Sequence, residues 1–348
     1  MKRNVFFNAP NIHTGGGLIL LSSLFNAWEE NNPCVAVLDV RAKASLVLPD
    51  NISVKWVFPK VFSRLYVEYW LWRNVQSDDY LFCFHGLPPL FIRRAHVVVF
   101  LQNRLLIRKD KSSHFPLRVT IRLFVERLLL YILRFRVSEY IVQTSTMQRD
   151  VIAWYGGTVR HSSPIVTVMP FRDKKLDKNY PQNTEKLFDF IYVADGSSHK
   201  NHRRLIEAWC ILKEQGINAS LALTLSPRDV ALTQLVKDIG NNNEVHIQNL
   251  GEISHNDVLN ALSCSKALIF PSTSESFGLP LIEAEELRIP ILAAERDFVR
   301  DVCSPVETFD PESAVSIANA VMRFLGHSNV HVMPISSADF LSKLFSDK

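Results

Sequence analysis

Long hydrophobic runs are missing from this 348-residue chain. No stretch of 18 uncharged apolar residues occurs, so no helix is expected to span a membrane. The opening MKRNVFFNAP holds only a short apolar run before Asn8, so it is not expected to act as a secretory signal. Cysteine is sparse: five residues, far apart, with no C-x-x-C pair. That argues against a disulfide framework or a zinc site and for a reducing compartment. Charge of one sign is scarce too. Lys plus Arg minus Asp plus Glu is 39 − 35 = +4, which gives no nucleic-acid signature. What is present, 47% hydrophobic and 21% charged residues, is globular composition and excludes a disordered chain.

At about 150 residues per domain the length predicts two domains. Short apolar runs at 5–7, 34–38, 80–84, 96–101 and 140–142 read as buried strands, separated in places by helix-length segments such as 18–30 and 116–136. This alternation predicts βαβ units and a parallel sheet. Residues 172–186 contain almost no apolar side chains and read as a linker. The alternation restarts at 187–193 and continues through strands at 220–225, 244–247, 267–270 and 290–293. Residues 1–171 and 187–348 are therefore expected to be two α/β domains, with 335–348 able to form one helix that packs back on the first.

Ligands of open α/β sheets bind beyond the carboxyl ends of strands. Three strand ends carry suitable chemistry. The first runs into NAPNIHTGGG, where Gly15, Gly16 and Gly17 at a helix start would expose backbone amides to a phosphate or a sugar ring. A tight turn is the equal alternative, and the segment is neither a G-x-G-x-x-G fingerprint nor a Walker A loop. The second is DGSSHKNH, residues 195–202, with Gly196, His199 and Lys200. A cation at a helix start is unfavourable unless an anion sits there; a solvated surface lysine is the alternative. The third is PSTSESFGLPLIEA, residues 271–284. Glu275 lies on the loop and Glu283 on the helix after it, with the amides of Ser276, Phe277, Gly278 and Leu279 between. Amides suit phosphate oxygens and carboxylates suit sugar hydroxyls, so the pattern fits a nucleotide sugar. A helix-capping role for Glu275 and an exposed helix position for Glu283 are the plain alternatives.

The segment 271–284 resembles the E-x7-E signature of retaining GT-B glycosyltransferases of glycosyltransferase family 4. The resemblance extends over YVADGSSHKNHRRLIEAW, NLGEISHNDVLNAL and FDPES in the second half, and more weakly over the TGGG, VQTSTM and VMPF segments of the first. Bacterial O-antigen and capsular polysaccharide enzymes look most similar. It implies two Rossmann-like domains with parallel sheets facing across a cleft. It also implies roles: Glu275 holds donor-sugar hydroxyls, Glu283 the nucleotide ribose and Lys200 the diphosphate. The amides of residues 277–279 contact sugar or phosphate, and Gly15, Gly16 and Gly17 line the cleft. One place departs from the family: Asp195 stands where a second diphosphate cation is common, so Arg300 or His199 must supply that charge, or amides take over. His85, at the end of the strand 80–84, matches loosely a cleft histidine touching the donor sugar, with a turn histidine as the equal alternative. Gln102, Asn103 and Arg104 end the next strand and are expected to be structural more than acceptor-facing. The chain has no Asp-x-Asp, so no metal is expected to bridge the diphosphate, and His327 with His331 reads as a solvated loop rather than a metal site.

Nine cations against two acids, together with LLLYIL at 128–133, mark residues 104–136. Such a segment can lie on an anionic membrane or pack as a core helix with a basic outer face; either way most of 128–132 is expected to be buried. The expected function is a retaining, metal-independent hexosyl transfer from a nucleotide-diphosphate sugar to a hydroxyl of a growing, lipid-linked glycan, with no cofactor. The expected place is the cytoplasm, at the inner face of the plasma membrane. A nucleotide-sugar 2-epimerase and a non-catalytic nucleotide-sugar-binding protein are the alternatives, and no nucleic-acid partner is expected.

Overall fold

A computed structural model describes residues 4–28, 34–92, 95–108, 115–156, 165–171, 185–243, 245–327 and 336. The first sheet contains β1 (Val5–Ala9), β2 (Cys34–Asp39), β3 (Ile52–Val57), β4 (Tyr80–Cys83), β5 (His96–Phe100), β6 (Glu139–Val142) and β7 (Ile165–Val168). They lie in the order β3-β2-β1-β4-β5-β6-β7, and every pairing is parallel. Strand residues alternate between two cores, as the two-residue strand period requires. Phe6 packs with α2 (Val61–Asn74), α3 (Leu117–Leu133) and α4 (Ser145–Gly156) on one face. Phe7 packs with α1 (Gly15–Asn26) on the other.

The second sheet contains β8 (Phe188–Tyr192), β9 (Leu221–Leu223), β10 (Ile247–Asn249), β11 (Ser265–Phe270), β12 (Ile291–Ala294) and β13 (Glu307–Phe309). Its order is β10-β9-β8-β11-β12-β13, again all parallel. Around it lie α5 (His202–Glu214), α6 (Val230–Asn243), α7 (His255–Ser263), α8 (Leu279–Glu286), α9 (Asp297–Arg300) and α10 (Ala314–Phe324). Trp209 and Phe190 anchor its single core, and the indole donates to the Ala219 carbonyl at 2.9 Å.

Two parallel α/β sheets are thus present, as the alternation predicted. The expected linker, 172–186, lies outside the described residues except for Glu185 and Lys186, and the helix expected at 335–348 lies outside them except for Ser336. His331 also lies outside, while His327 follows the Gly326 that ends α10. One expectation is overturned. Within 128–132, Leu128, Tyr131 and Ile132 are about half exposed; Leu130 is fully buried and Leu129 partly so. The reason is that α3 presents a single face to the sheet, through Leu123, Leu130 and Leu133, and that face is already apolar without the other three.

Candidate functional site

Each sheet reverses its strand order once, between β1 and β4 and between β8 and β11. The crevice outside such a reversal is where open α/β sheets bind ligands. The residues singled out in the sequence follow these four strands: Gly15–Gly17 after β1, His85 after β4, residues 195–200 after β8 and 271–279 after β11.

The two loops of the second sheet are knit together. Lys200 ends a 3-10 turn, Ser198–Lys200, just ahead of α5. Its Nζ lies 2.6 Å from Glu275 Oε1, both side chains being less than one-fifth exposed. Lys200 is therefore no solvated surface lysine, and Glu275 caps no helix; Gly278, in the left-handed region, occupies the N-cap of α8. Burial pulls the Lys200 pKa down, but the carboxylates of Glu275 and Asp195 together outweigh it and hold the pKa above the ordinary lysine value. Thr273 donates its N–H to the His199 carbonyl at 2.9 Å. The Tyr192 hydroxyl lies 2.8 Å from both the Lys200 carbonyl and Ser272 Oγ.

Several of these holders left no signal in the sequence. Asn201 adopts a left-handed conformation (φ 63) and its amide donates to the carbonyls of Pro271 (3.2 Å) and Pro311 (2.7 Å). It thereby clamps the loop after β8 to the loops after β11 and β13. Asn tolerates that backbone geometry better than most residues, but a single Asn in a polar loop does not announce it. Gly196 donates to Asp229 Oδ2 at 3.1 Å. A Cβ at Gly196 would lie 2.4 Å from the Asp229 carboxylate, so glycine is required there.

Asp195, the departure from the family pattern, accepts the Ser197 N–H at 2.8 Å. Burial works against its charge, but Lys200, the Ser197 hydrogen bonds and His199 hold its pKa below the usual carboxylate range. It is an anion that shapes the turn, not a replaced cation. Of the two groups proposed to compensate, Arg300 is committed bidentately to Glu295 at 2.6 and 3.0 Å. His199 stays in the turn beside Lys200, its ring 6.2 Å from that of Phe115 in the first half.

Glu283 is no exposed helix residue. It is 5% exposed, and Oε1 lies 2.8 Å from His255 Nε2 at the start of α7. The structure thus gives the two carboxylates of the E-x7-E pattern different partners, Lys200 for Glu275 and His255 for Glu283. The His255 contact spans 28 residues and had no local trace in the sequence.

Across the crevice, Gly15, Gly16 and Gly17 form the first turn of α1 rather than a loop ahead of it. A Cβ on Gly16 would sit 3.1 Å from Leu279 Cδ1, the closest approach of the two halves at the glycine run. Thr144 Oγ1 donates to the Ser276 carbonyl at 3.3 Å, and the Thr146 N–H to Asp301 Oδ2 at 2.8 Å. Phe277 is buried beneath the loop. His85 Nδ1 donates to the Asn8 carbonyl at 3.1 Å. Burial lowers the His85 pKa to about 4, with Arg64 adding and the Asn8 bond opposing, so the ring is neutral at pH 7. Gln102, Asn103 and Arg104 are each tied into the fold. Their bonds go to the Phe84 carbonyl (2.7 Å), the Leu105 N–H (3.1 Å) and Asp150 (2.7 Å). Among the described residues no cluster of three or more His, Cys, Asp or Glu side chains is placed to hold a metal ion.

His202, the first residue of α5, is 2% exposed, its ring 4.8 Å from the Tyr192 ring and tilted 41° to it. Burial drives its pKa to about 3. The unfolded chain therefore takes up this proton first, and stability falls as pH drops below about 6.5. His202 should account for about 2 kcal/mol of stability lost between pH 7 and pH 5. Urea unfolding at both pH values checks this: His202→Phe should lose correspondingly less on acidification.

Residues 173–338 match the family described as Glycosyl transferases group 1. A curated relative, the serotype-specific mannosyltransferase WbdA of Escherichia coli, is 25% identical over an alignment of 218 residues that covers 56% of this chain. The chain spans only about a quarter of that relative's length, the match covering 26% of it. Among solved structures, Anabaena HepE in complex with UDP and glucose is similar with a TM-score of 0.66 at 18% identity, over 93% of this chain and 90% of that one. The lipopolysaccharide outer core galactosyltransferase WaaB is similar with a TM-score of 0.54 at 15% identity, over 94% and 89%. The chain therefore carries a group 1 glycosyl transferase domain over residues 173–338, and its two parallel sheets have the GT-B architecture.

Proposed function

We propose that the protein is a retaining, family 4-like hexosyltransferase that moves a sugar from a nucleotide-diphosphate donor to a hydroxyl of a growing, lipid-linked glycan in cell-surface polysaccharide or lipopolysaccharide synthesis. The observation that carries this is the Lys200–Glu275 pair at the strand reversal of the second sheet, opposite the glycine turn of α1. In this reading Lys200 and the amides of Ser276–Leu279 stabilise the negative charge that builds on the departing diphosphate, which is electrostatic catalysis. An ammonium has three donors and Glu275 takes one. Glu275 accepts hydroxyls of the donor sugar, and Glu283, braced by His255, accepts those of the ribose. Neutral His85, its Nδ1–H spent on Asn8, offers Nε2 as an acceptor to the sugar. The match to group 1 glycosyl transferases and the likeness to WbdA support the reading.

The test is incubation with a panel of nucleotide sugars, with and without glycan acceptors. Acceptor-dependent release of nucleoside diphosphate, unchanged by EDTA, is expected. Product from the donor alone would indicate an epimerase, binding without turnover a non-catalytic protein, and a strict metal requirement would contradict charge stabilisation by Lys200 and amides.

A further inference from the structure

The first half leaves two helices with apolar outer faces. At 3.6 residues per turn, Leu117, Ile121, Phe124, Leu128, Ile132 and Phe135 fall within about 80° of arc along α3 and its end. All are exposed, Leu117 by 74% and Phe124 by 64%. On α2, Phe62, Leu65, Tyr66, Tyr69 and Trp72 fall within about 120°, also exposed, Phe62 by 84%. The two stripes look the same way. Val67 and Leu71 of α2 pack in the same core as Leu123 and Leu130 of α3, against one face of the first sheet, so the opposite sides of both helices point away from it together. On the sheet-facing side of α2, Arg64 lies within electrostatic reach of Glu126 and Arg122 of α3, so the two helices are neighbours. A recess of about 750 Å³ walled by Tyr69, Trp72, Phe91 and Ile92 opens at the far end of α2.

The polar groups of this surface are mainly cationic. Lys60, Arg73, Arg118 and Arg122 are exposed. Of the acids on the two helices, Glu68 turns inward to accept the Leu90 N–H at 2.8 Å, and Glu126 is only partly exposed beside Arg122. Exposed aliphatic and aromatic side chains bordered by arginine and lysine match the chemistry of an anionic lipid surface, where Trp and Tyr settle at the headgroup level. A second copy of the chain fits less well, because a two-fold pairing would lay the patch on itself and bring the same cations together.

We propose that the outer faces of α2 and α3 together form a docking surface for an anionic bilayer. The contact is wider than residues 104–136, because α2 supplies half of it. Arg64, on the sheet-facing side of α2, lies within electrostatic reach of His85, so the helix that carries one of the two stripes starts close to the crevice. The inference rests on the transferase reading only for its purpose, the presentation of a lipid-linked acceptor; bilayer binding itself is independent of it.

Co-sedimentation with phosphatidylcholine vesicles, with and without about one-third phosphatidylglycerol, tests it. Binding to the anionic vesicles should exceed that to neutral ones by at least tenfold and fall in 0.5 M NaCl, since each cation near such a surface contributes about fivefold. Phe62→Ser with Trp72→Ser on α2, and separately Phe124→Ser with Leu128→Ser on α3, should each weaken binding at least tenfold. Nucleoside diphosphate affinity should stay unchanged, which shows the variants are folded. Failure of the wild-type chain to bind anionic vesicles would overturn the proposal, as would an unaffected α2 variant or a concentration-dependent dimer that the same substitutions abolish. Vesicle binding without donor turnover would leave this surface standing and sink the transferase reading instead.

Discussion

Glu275→Gln should lower the rate of sugar transfer by a factor of about 100 to 1,000, the scale set by removing one preorganised polar contact from a transition state. The substitution keeps the shape of the side chain and removes its charge. Two losses combine. The amide is a weaker acceptor for the donor's hydroxyls than a carboxylate. Lys200, whose Nζ sits 2.6 Å from Glu275, loses its nearest counter-charge and keeps Asp195 as its remaining carboxylate neighbour. Breaking a buried pair by deleting one partner costs about 3–5 kcal/mol. This pair keeps some exposure, so the expected destabilisation is smaller and the variant should still fold. Initial rates together with a melting curve separate the two effects. A folded variant within threefold of the wild-type rate would remove Glu275 from the chemistry.

Lys200→Ala should weaken nucleoside diphosphate binding about 10- to 100-fold, the equivalent of a charged hydrogen bond lost. The deletion also uncovers the Glu275 and Asp195 carboxylates, which would then repel the diphosphate. The double variant Lys200→Ala with Glu275→Gln should therefore bind nucleoside diphosphate better than Lys200→Ala alone, a coupling expected of residues in contact. Calorimetry on the three variants measures it. Unchanged affinity in Lys200→Ala would place the diphosphate elsewhere.

The strand ends that bear the candidate site were legible in the sequence because they break apolar runs with glycine or charge: TGGG after β1, DGSSHK after β8, PSTSESFG after β11. What holds those loops together was not. The carbonyls of Pro271 and Pro311 that Asn201 reaches are 70 and 110 residues away. Backbone partners at that range leave no periodicity. His255 likewise reads as an ordinary helix start until the fold brings it to Glu283, 28 residues on. The strand β3 escaped because polar residues interrupt its apolar ones, as in ISVKWV, and β7 and β13 because they are only four and three residues long. In 128–132 apolar character alone suggested burial, yet a helix that touches its sheet along one line leaves the remaining apolar side chains outside.

Trp209 and Phe190 lie in a core whose described members all come from the second half. Of that half, Leu279 alone among the described residues joins a core of the first. The other described links between the halves are mostly polar, such as Thr144 to Ser276, Thr146 to Asp301 and Arg149 to Asp297. Each half can thus be exchanged for a homologous one with little repacking, so under the proposed transferase reading the recognition of donor and of acceptor would diversify separately, by recombination as readily as by point change.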